Sequence, residues 1–205
     1  MSVVMMPEYE YSCFISYKHP PAHEGSGAIQ HFWMEFVMAF QARLNAYLTL
    51  KLSIYRDDQL RSQPGVKYPP ELSSKLCRSV CMIAILVPEY LESSWCLAEW
   101  RAMERLEAER TRVSASDSFI IPIIYRGQDR QFDTLCSARE YSDFRGVINP
   151  WKQLNSIRRR QQIEEIACRI AELSKRKSRT DCTNFSIEAD EEVVSPRFDD
   201  PNPLA

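Results

Sequence analysis

A helix predicted to start beside Ser93 and Ser94 and to run to about residue 109 carries Trp95 and, four residues on, Glu99. At about 100° per residue, with Trp95 at 0°, Ala98, Ala102, Met103 and Leu106 share the side of Trp95, whereas Arg101, Glu104, Arg105 and Glu107 take the other. Glu99 falls at about 40°, inside the apolar face. An unpaired carboxylate buried there costs on the order of several kcal/mol, so Glu99 needs a partner or a purpose. The residues alone leave two readings open. One is an ion pair with an arginine on a slightly rotated helix. The other is a carboxylate at the mouth of a cleft, with Trp95 one turn away on the same face. Trp95 is either a stacking surface for a planar ring or a piece of core.

Other chemistries lack their residues. No G-x-G-x-x-G follows the first predicted strand, and neither a G-x-x-x-x-G-K-[ST] loop nor a G-x-S-x-G elbow occurs. A Rossmann dehydrogenase, a P-loop NTPase and an α/β-hydrolase are therefore not supported. The seven cysteines (Cys13, Cys77, Cys81, Cys96, Cys136, Cys168 and Cys182) include no C-x-x-C pair, and His19, His23 and His31 all lie near the N-terminus. That spacing does not suit a zinc site, so no metal is expected. Several cysteines sit in apolar runs, as reduced thiols do, and free thiols are expected throughout.

The elements that must position Glu99 follow from the hydrophobic pattern. Tyr11–Tyr17, 52–55, 80–87, 119–125 and 140–144 read as strands, the third of them apolar throughout as a strand buried on both faces would be. Pro122 argues against a central place for the fourth. Ile29, Phe32, Trp33, Phe36, Val37, Phe40, Leu44, Tyr47 and Leu48 recur at helical spacing. Pro69 and Pro70 suit the first turn of a short helix through Cys77. Ile163, Ile166, Ile170 and Leu173 mark a final helix. The alternation implies a doubly wound, flavodoxin-like α/β fold: a five-stranded, mainly parallel sheet with helices on both faces. With the strand order 2-1-3-4-5, ligands bind beyond the carboxyl ends of strands one and three. Strand one ends at Ser16, Tyr17 and Lys18; the segment after strand three delivers Tyr90, Trp95 and Glu99.

The chain has 205 residues, is 44% hydrophobic and carries a net charge of −2, which suits one packed domain and argues against a general nucleic-acid binder. Arg158, Arg159 and Arg160, and Lys175, Arg176 and Lys177, read as solvated helix faces, so neither nucleic acid nor membrane is expected as a partner. No apolar run approaches the ~20 residues of a membrane span, and residues 1–7 lack a basic n-region, so a cytoplasmic protein is expected. Residues 178–205 hold seven acidic and two basic side chains. The expected division is a domain over 8–177 and an acidic, disordered tail over 178–205.

Three motifs resemble those of TIR (Toll/interleukin-1 receptor) domains, particularly the bacterial and plant-like NAD-cleaving ones. Tyr11-Ser12-Cys13-Phe14-Ile15-Ser16-Tyr17 is similar to the first box, usually Y-D-A-F-I-S-Y. Tyr55-Arg56-Asp57-Asp58, continuing to Pro64-Gly65, resembles the second box and its loop. Ser93-Ser94-Trp95-Cys96-Leu97-Ala98-Glu99 resembles S-x-W-C-x-x-E. The departures are Ser12 for the usual Asp, a longer loop over 18–27, extra residues before Pro64, and only Pro150-Trp151 in place of the third box.

The resemblance implies cleavage of the nicotinamide–ribose bond of NAD+, with Glu99 catalytic. Ser16, Tyr17, Lys18, Arg56, Asp57, Tyr90 and Trp95 are then the expected substrate-binding residues. NAD+ enters as substrate, and no cofactor is implied. The ribosyl product is ADP-ribose, a cyclic isomer or a base-exchange product. The resemblance also implies TIR–TIR self-association, a separate effector or activator protein, and a setting in bacterial antiviral defence. The alternative is a non-catalytic TIR adaptor that binds other TIR domains through residues 56–65.

Overall fold

The computed structural model of the chain describes residues 9–18, 28–47, 52–56, 68–110, 117–148, 150–175 and 180–188. Strands β1 (Tyr11–Tyr17), β2 (Ser53–Arg56), β3 (Ser79–Leu86), β4 (Ile120–Ile124) and β5 (Ser142–Asp143) form one sheet in the order β2-β1-β3-β4-β5. Every pairing is parallel, so the sheet expected to be mainly parallel is parallel throughout. The helices are α1 (Ala28–Tyr47), α2 (Tyr68–Cys77), α3 (Pro88–Leu91), α4 (Ser94–Arg110), α5 (Asp133–Cys136), α6 (Pro150–Gln153) and α7 (Ile157–Ser174). α1 packs against α7 and α2 against α4. Right-handed crossovers place those two layers on opposite faces of the sheet. All eight residues of β3 are buried, as a strand covered on both sides requires.

The α1 face of the core is aromatic. Phe32, Phe36 and Phe40 lie four residues apart and are fully buried. Phe32 stacks on Tyr125 at 4.3 Å between centroids, and Phe36 meets Phe144 edge-on at 5.6 Å. Helical spacing thus becomes a row of rings that fixes α1 over the β4–β5 side of the sheet.

Pro122 sits in an interior strand, opposite Ala84 of β3, which corrects the expectation that proline keeps β4 from a central place. Successive backbone groups of a strand point to alternate neighbours. The Tyr125 N–H donates to Leu86 in β3, whereas the Ile124 carbonyl accepts from Phe144 on the β5 side. Pro122 shares the parity of Ile124, so its missing N–H faces β5. That strand pairs only with Ile123 and Ile124 and does not reach back to Pro122.

β5 is two residues long and is held by side chains. Arg145 grips the Asp143 carboxylate with Nε at 3.0 Å and a terminal nitrogen at 2.9 Å, and its backbone N–H adds a third bond at 2.9 Å. Arg159 donates to the carbonyls of Asp143 and Arg145 and lies over the Phe144 ring. The middle residue of the arginine run over 158–160 is therefore turned inward and is not part of a basic surface.

Hydrogen bonds from Arg145 hold the Asp143 carboxyl below its ordinary value of 3.8. A depressed carboxyl stabilises the fold fully above its ordinary value, and that contribution is lost as pH falls through the lowered one. Because the pair is partly exposed, Asp143→Asn should cost only about 1 kcal/mol at neutral pH. Chemical denaturation at pH 7 and again near pH 3 checks this: the difference between variant and wild type should shrink at the acid end.

The chain is packed beyond the boundary expected at 177. Ile187 is buried, its N–H donates to Ser73 Oγ at 2.9 Å, and Arg105 donates to the Ser186 carbonyl at 2.8 Å. Segment 180–188 thus lies across α2 and α4, although it was expected to be disordered; residues 189–205 lie outside the described residues. The expectation of free thiols throughout is also corrected. Cys77 and Cys182 form a disulfide with their Cα atoms 5.8 Å apart. The reason is tertiary: Cys77 ends α2, where the returning segment crosses it. Cys13, Cys81, Cys96, Cys136 and Cys168 are not disulfide-bonded.

Candidate functional site

β1 runs beside β3 with Ser16 opposite Ala84 and Tyr17 opposite Ile85, so both strands deliver their carboxyl ends to one place. β3 stops at Leu86, and Pro88 opens α3 at its first position, where the missing N–H costs nothing. This single turn carries Tyr90 back over the end of the sheet. α4 follows at once, with Ser93 at its cap: Ser93 Oγ accepts from the Cys96 N–H at 3.3 Å.

Glu99 is 3% exposed, Ser16 1% and Tyr90 0%. Ser16 Oγ donates to Glu99 Oε2 at 2.5 Å and lies 2.8 Å from the Tyr90 hydroxyl. The Tyr90 hydroxyl also lies 3.2 Å from the Cys96 carbonyl. Three of the residues expected at the site, from β1, α3 and α4, therefore meet in one buried chain of hydrogen bonds. Burial, then the neighbouring Cys96 and Glu99, hold the Tyr90 hydroxyl well above its ordinary range, so it keeps its proton at every physiological pH.

α4 buries Cys96, Ala98, Glu99, Trp100, Ala102, Met103 and Leu106. On the 100° wheel the centre of that arc lies nearer Glu99 than Trp95. Glu99 sits deeper than the sequence implies, and Trp95 takes the rim, half-buried against the core. Trp100 is the large aromatic that the sequence reading passed over. It is 1% exposed, donates from Nε1 to Glu104 at 3.0 Å and lies under the Arg139 guanidinium. The charged residues at Glu104 and Arg139 that satisfy it were visible in the sequence, but their meeting was not.

The remaining candidates are spread more widely. Tyr17 is buried and, one residue beyond Ser16, projects from the opposite face of the sheet. Lys18 is half-buried just past the end of β1. Arg56 ends β2 opposite Ile15; its side chain, like Asp57 and the loops over 19–27 and 57–67, lies outside the described residues. A groove of about 380 Å³ between α3, α4 and α5 is lined by Leu97, Arg101 and Glu104, the helix face turned away from Glu99. It is distinct from the crevice. Among the described residues, no three His, Cys, Asp or Glu side chains converge as metal ligands. Among them, too, no helix is long and apolar enough to cross a membrane.

No curated protein sequence matches the chain. The profile of the TIR domain family matches residues 29–176. That span runs from α1 to α7 and contains Tyr90, Trp95 and Glu99; β1, with Ser16 and Tyr17, precedes it. The sheet order, the glutamate brought to the carboxyl ends of β1 and β3, and a match over most of the sequence lead to one statement of kinship: this chain belongs to the TIR domain family.

Proposed function

We propose that the chain cleaves the nicotinamide–ribose bond of NAD+ and that Glu99 is its catalytic residue. The observation that carries this reading is the placement of Glu99, a carboxylate inside the apolar face of α4 at the carboxyl ends of β1 and β3. Binding of other TIR domains asks for no such buried acid, and its desolvation is unfavourable unless the charge is used.

The chemistry asks little of the protein. Nicotinamide departs without protonation, and the ribosyl group passes through an oxocarbenium-like transition state, as in glycoside hydrolysis. A carboxylate fixed beside the ribose stabilises that cation electrostatically. Ser16 holds Glu99 at Oε2, so the charge is oriented before substrate arrives. Trp95, at the rim one turn from Glu99, is the surface for the nicotinamide ring. Lys18 and Arg56 follow or end their strands at the same end of the sheet; with Asp57, next in sequence, they are proposed to contact ribose and phosphates, and Tyr17 is proposed to support the crevice from beneath. Water, an internal nucleophile of the substrate or a second base then takes the ribosyl group.

Glu99 is nearly sealed in the single chain, so contact with substrate requires the crevice to open. We assign that opening to assembly of TIR domains, which makes activity depend on concentration. The proposed setting is the bacterial cytoplasm during antiviral defence, with the ribosyl product acting on a separate effector. The test incubates the purified chain, dilute and then concentrated with a crowding agent, with NAD+ and identifies products by mass spectrometry. Nicotinamide release that rises per chain with concentration supports the reading. No release under crowded conditions favours a TIR adaptor that acts through protein contacts alone.

A further inference from the structure

The hydroxyls of Ser16 and Tyr90, which the sequence placed among the substrate contacts, are buried together with Glu99 and joined to it by hydrogen bonds. Their protons can be counted. An ionised Glu99 only accepts, so the single Ser16 proton, 2.5 Å away, is committed to it. The Ser16 oxygen must then accept from its other neighbour, which leaves Tyr90 as the donor across 2.8 Å, with the Cys96 carbonyl the longer partner at 3.2 Å. The order is Tyr90 O–H to Ser16 O–H to the Glu99 carboxylate. A protonated Glu99 reverses it: Glu99 donates to Ser16, Ser16 to Tyr90, and Tyr90 to Cys96.

We propose that Ser16 and Tyr90 are positioning residues for Glu99: a two-hydroxyl relay that holds the carboxylate in one orientation and favours its ionised form. Charge-assisted hydrogen bonds are shorter and about twice as strong as neutral ones, so the ionised order is the tighter of the two. Each hydroxyl is held by a different element, Ser16 by the pairing of β1 with β3 and Tyr90 by the turn of α3. The orientation of Glu99 therefore does not rest on its own helix alone. Ser16 from β1 meets the carboxylate directly and Tyr90 from α3 meets it through Ser16, with the buried Cys96 on the preceding turn of α4 and Lys18 two residues beyond Ser16 among the titratable groups nearby.

Only the consequence for turnover rests on the catalytic reading of Glu99; its titration does not. The test follows the Glu99 carboxyl carbon by NMR in the full chain labelled at glutamate, the signal assigned by its absence in Glu99→Gln, across pH in wild type, Ser16→Ala and Tyr90→Phe. Each variant removes one oxygen and no carbon. Loss of a donor to the charged form raises a carboxyl pKa. Ser16→Ala should move the midpoint up by about one unit, a tenfold change in proton affinity, and Tyr90→Phe should move it the same way by less. With NAD+, both variants should lose kcat with little change in KM, and the acid limb of the rate profile should follow the NMR midpoint. Midpoints that match wild type in both variants overturn the relay, whatever the turnover. A shifted midpoint in a chain that never releases nicotinamide keeps the relay and overturns the enzyme.

Discussion

Glu99→Gln is expected to lower NAD+ turnover by two to three orders of magnitude, the usual loss when one preorganised electrostatic group is removed from a transition state. Glutamine keeps the shape of the side chain, and its carbonyl still accepts from Ser16, so the hydrogen bond made at 2.5 Å survives in kind. What disappears is the charge. The variant therefore separates a catalytic role from a structural one. A buried carboxylate is costly to desolvate, and a neutral isostere often leaves a fold as stable or more so. Thermal unfolding should show Glu99→Gln at or above the wild-type midpoint while nicotinamide release is lost. Glu99→Ala should lose the same activity but unfold earlier, because it opens a cavity and leaves the Ser16 hydroxyl without its acceptor. Wild-type turnover by Glu99→Gln would remove Glu99 from the chemistry.

The second large effect concerns stability. Under oxidising conditions, Cys182→Ser should cost about 3 kcal/mol, because the Cys77–Cys182 bond closes a sequence separation of 105 residues and restrains the unfolded chain. For a chain of this size that lowers the melting temperature by roughly 10 °C. Truncation after residue 177 should cost more, since it also removes buried Ile187 and the contacts of segment 180–188 with Ser73 and Arg105. Calorimetry with and without reductant checks both: reduced wild type should unfold with Cys182→Ser. Equal melting temperatures for oxidised wild type and Cys182→Ser would show that the bond contributes nothing.

The two results bear on different parts of the molecule. Cys77 ends α2 where β3 begins, and Glu99 lies near where β3 ends, so the strap and the crevice occupy opposite ends of the same strand. Loss of the strap should therefore lower stability without removing the Ser16–Glu99 bond.

The sequence by itself determined the sheet and the presence of an acid in the wrong place. Apolar runs and helical spacing are local patterns, and they marked all five strands and the three long helices, α1, α4 and α7. The wheel put Glu99 on the apolar side of α4 because helical geometry needs no partner to be computed. The tertiary structure decided what the patterns cannot encode. Ser16 and Tyr90 are 74 residues apart, and only the parallel pairing of β1 with β3 and the turn of α3 bring their hydroxyls together. The tolerance of Pro122 depends on the length of a neighbouring strand. The bond between Cys77 and Cys182 depends on the path of a segment whose composition alone reads as a solvated tail. Each is a contact between distant parts of the chain, and periodicity carries no record of which distant surfaces will meet.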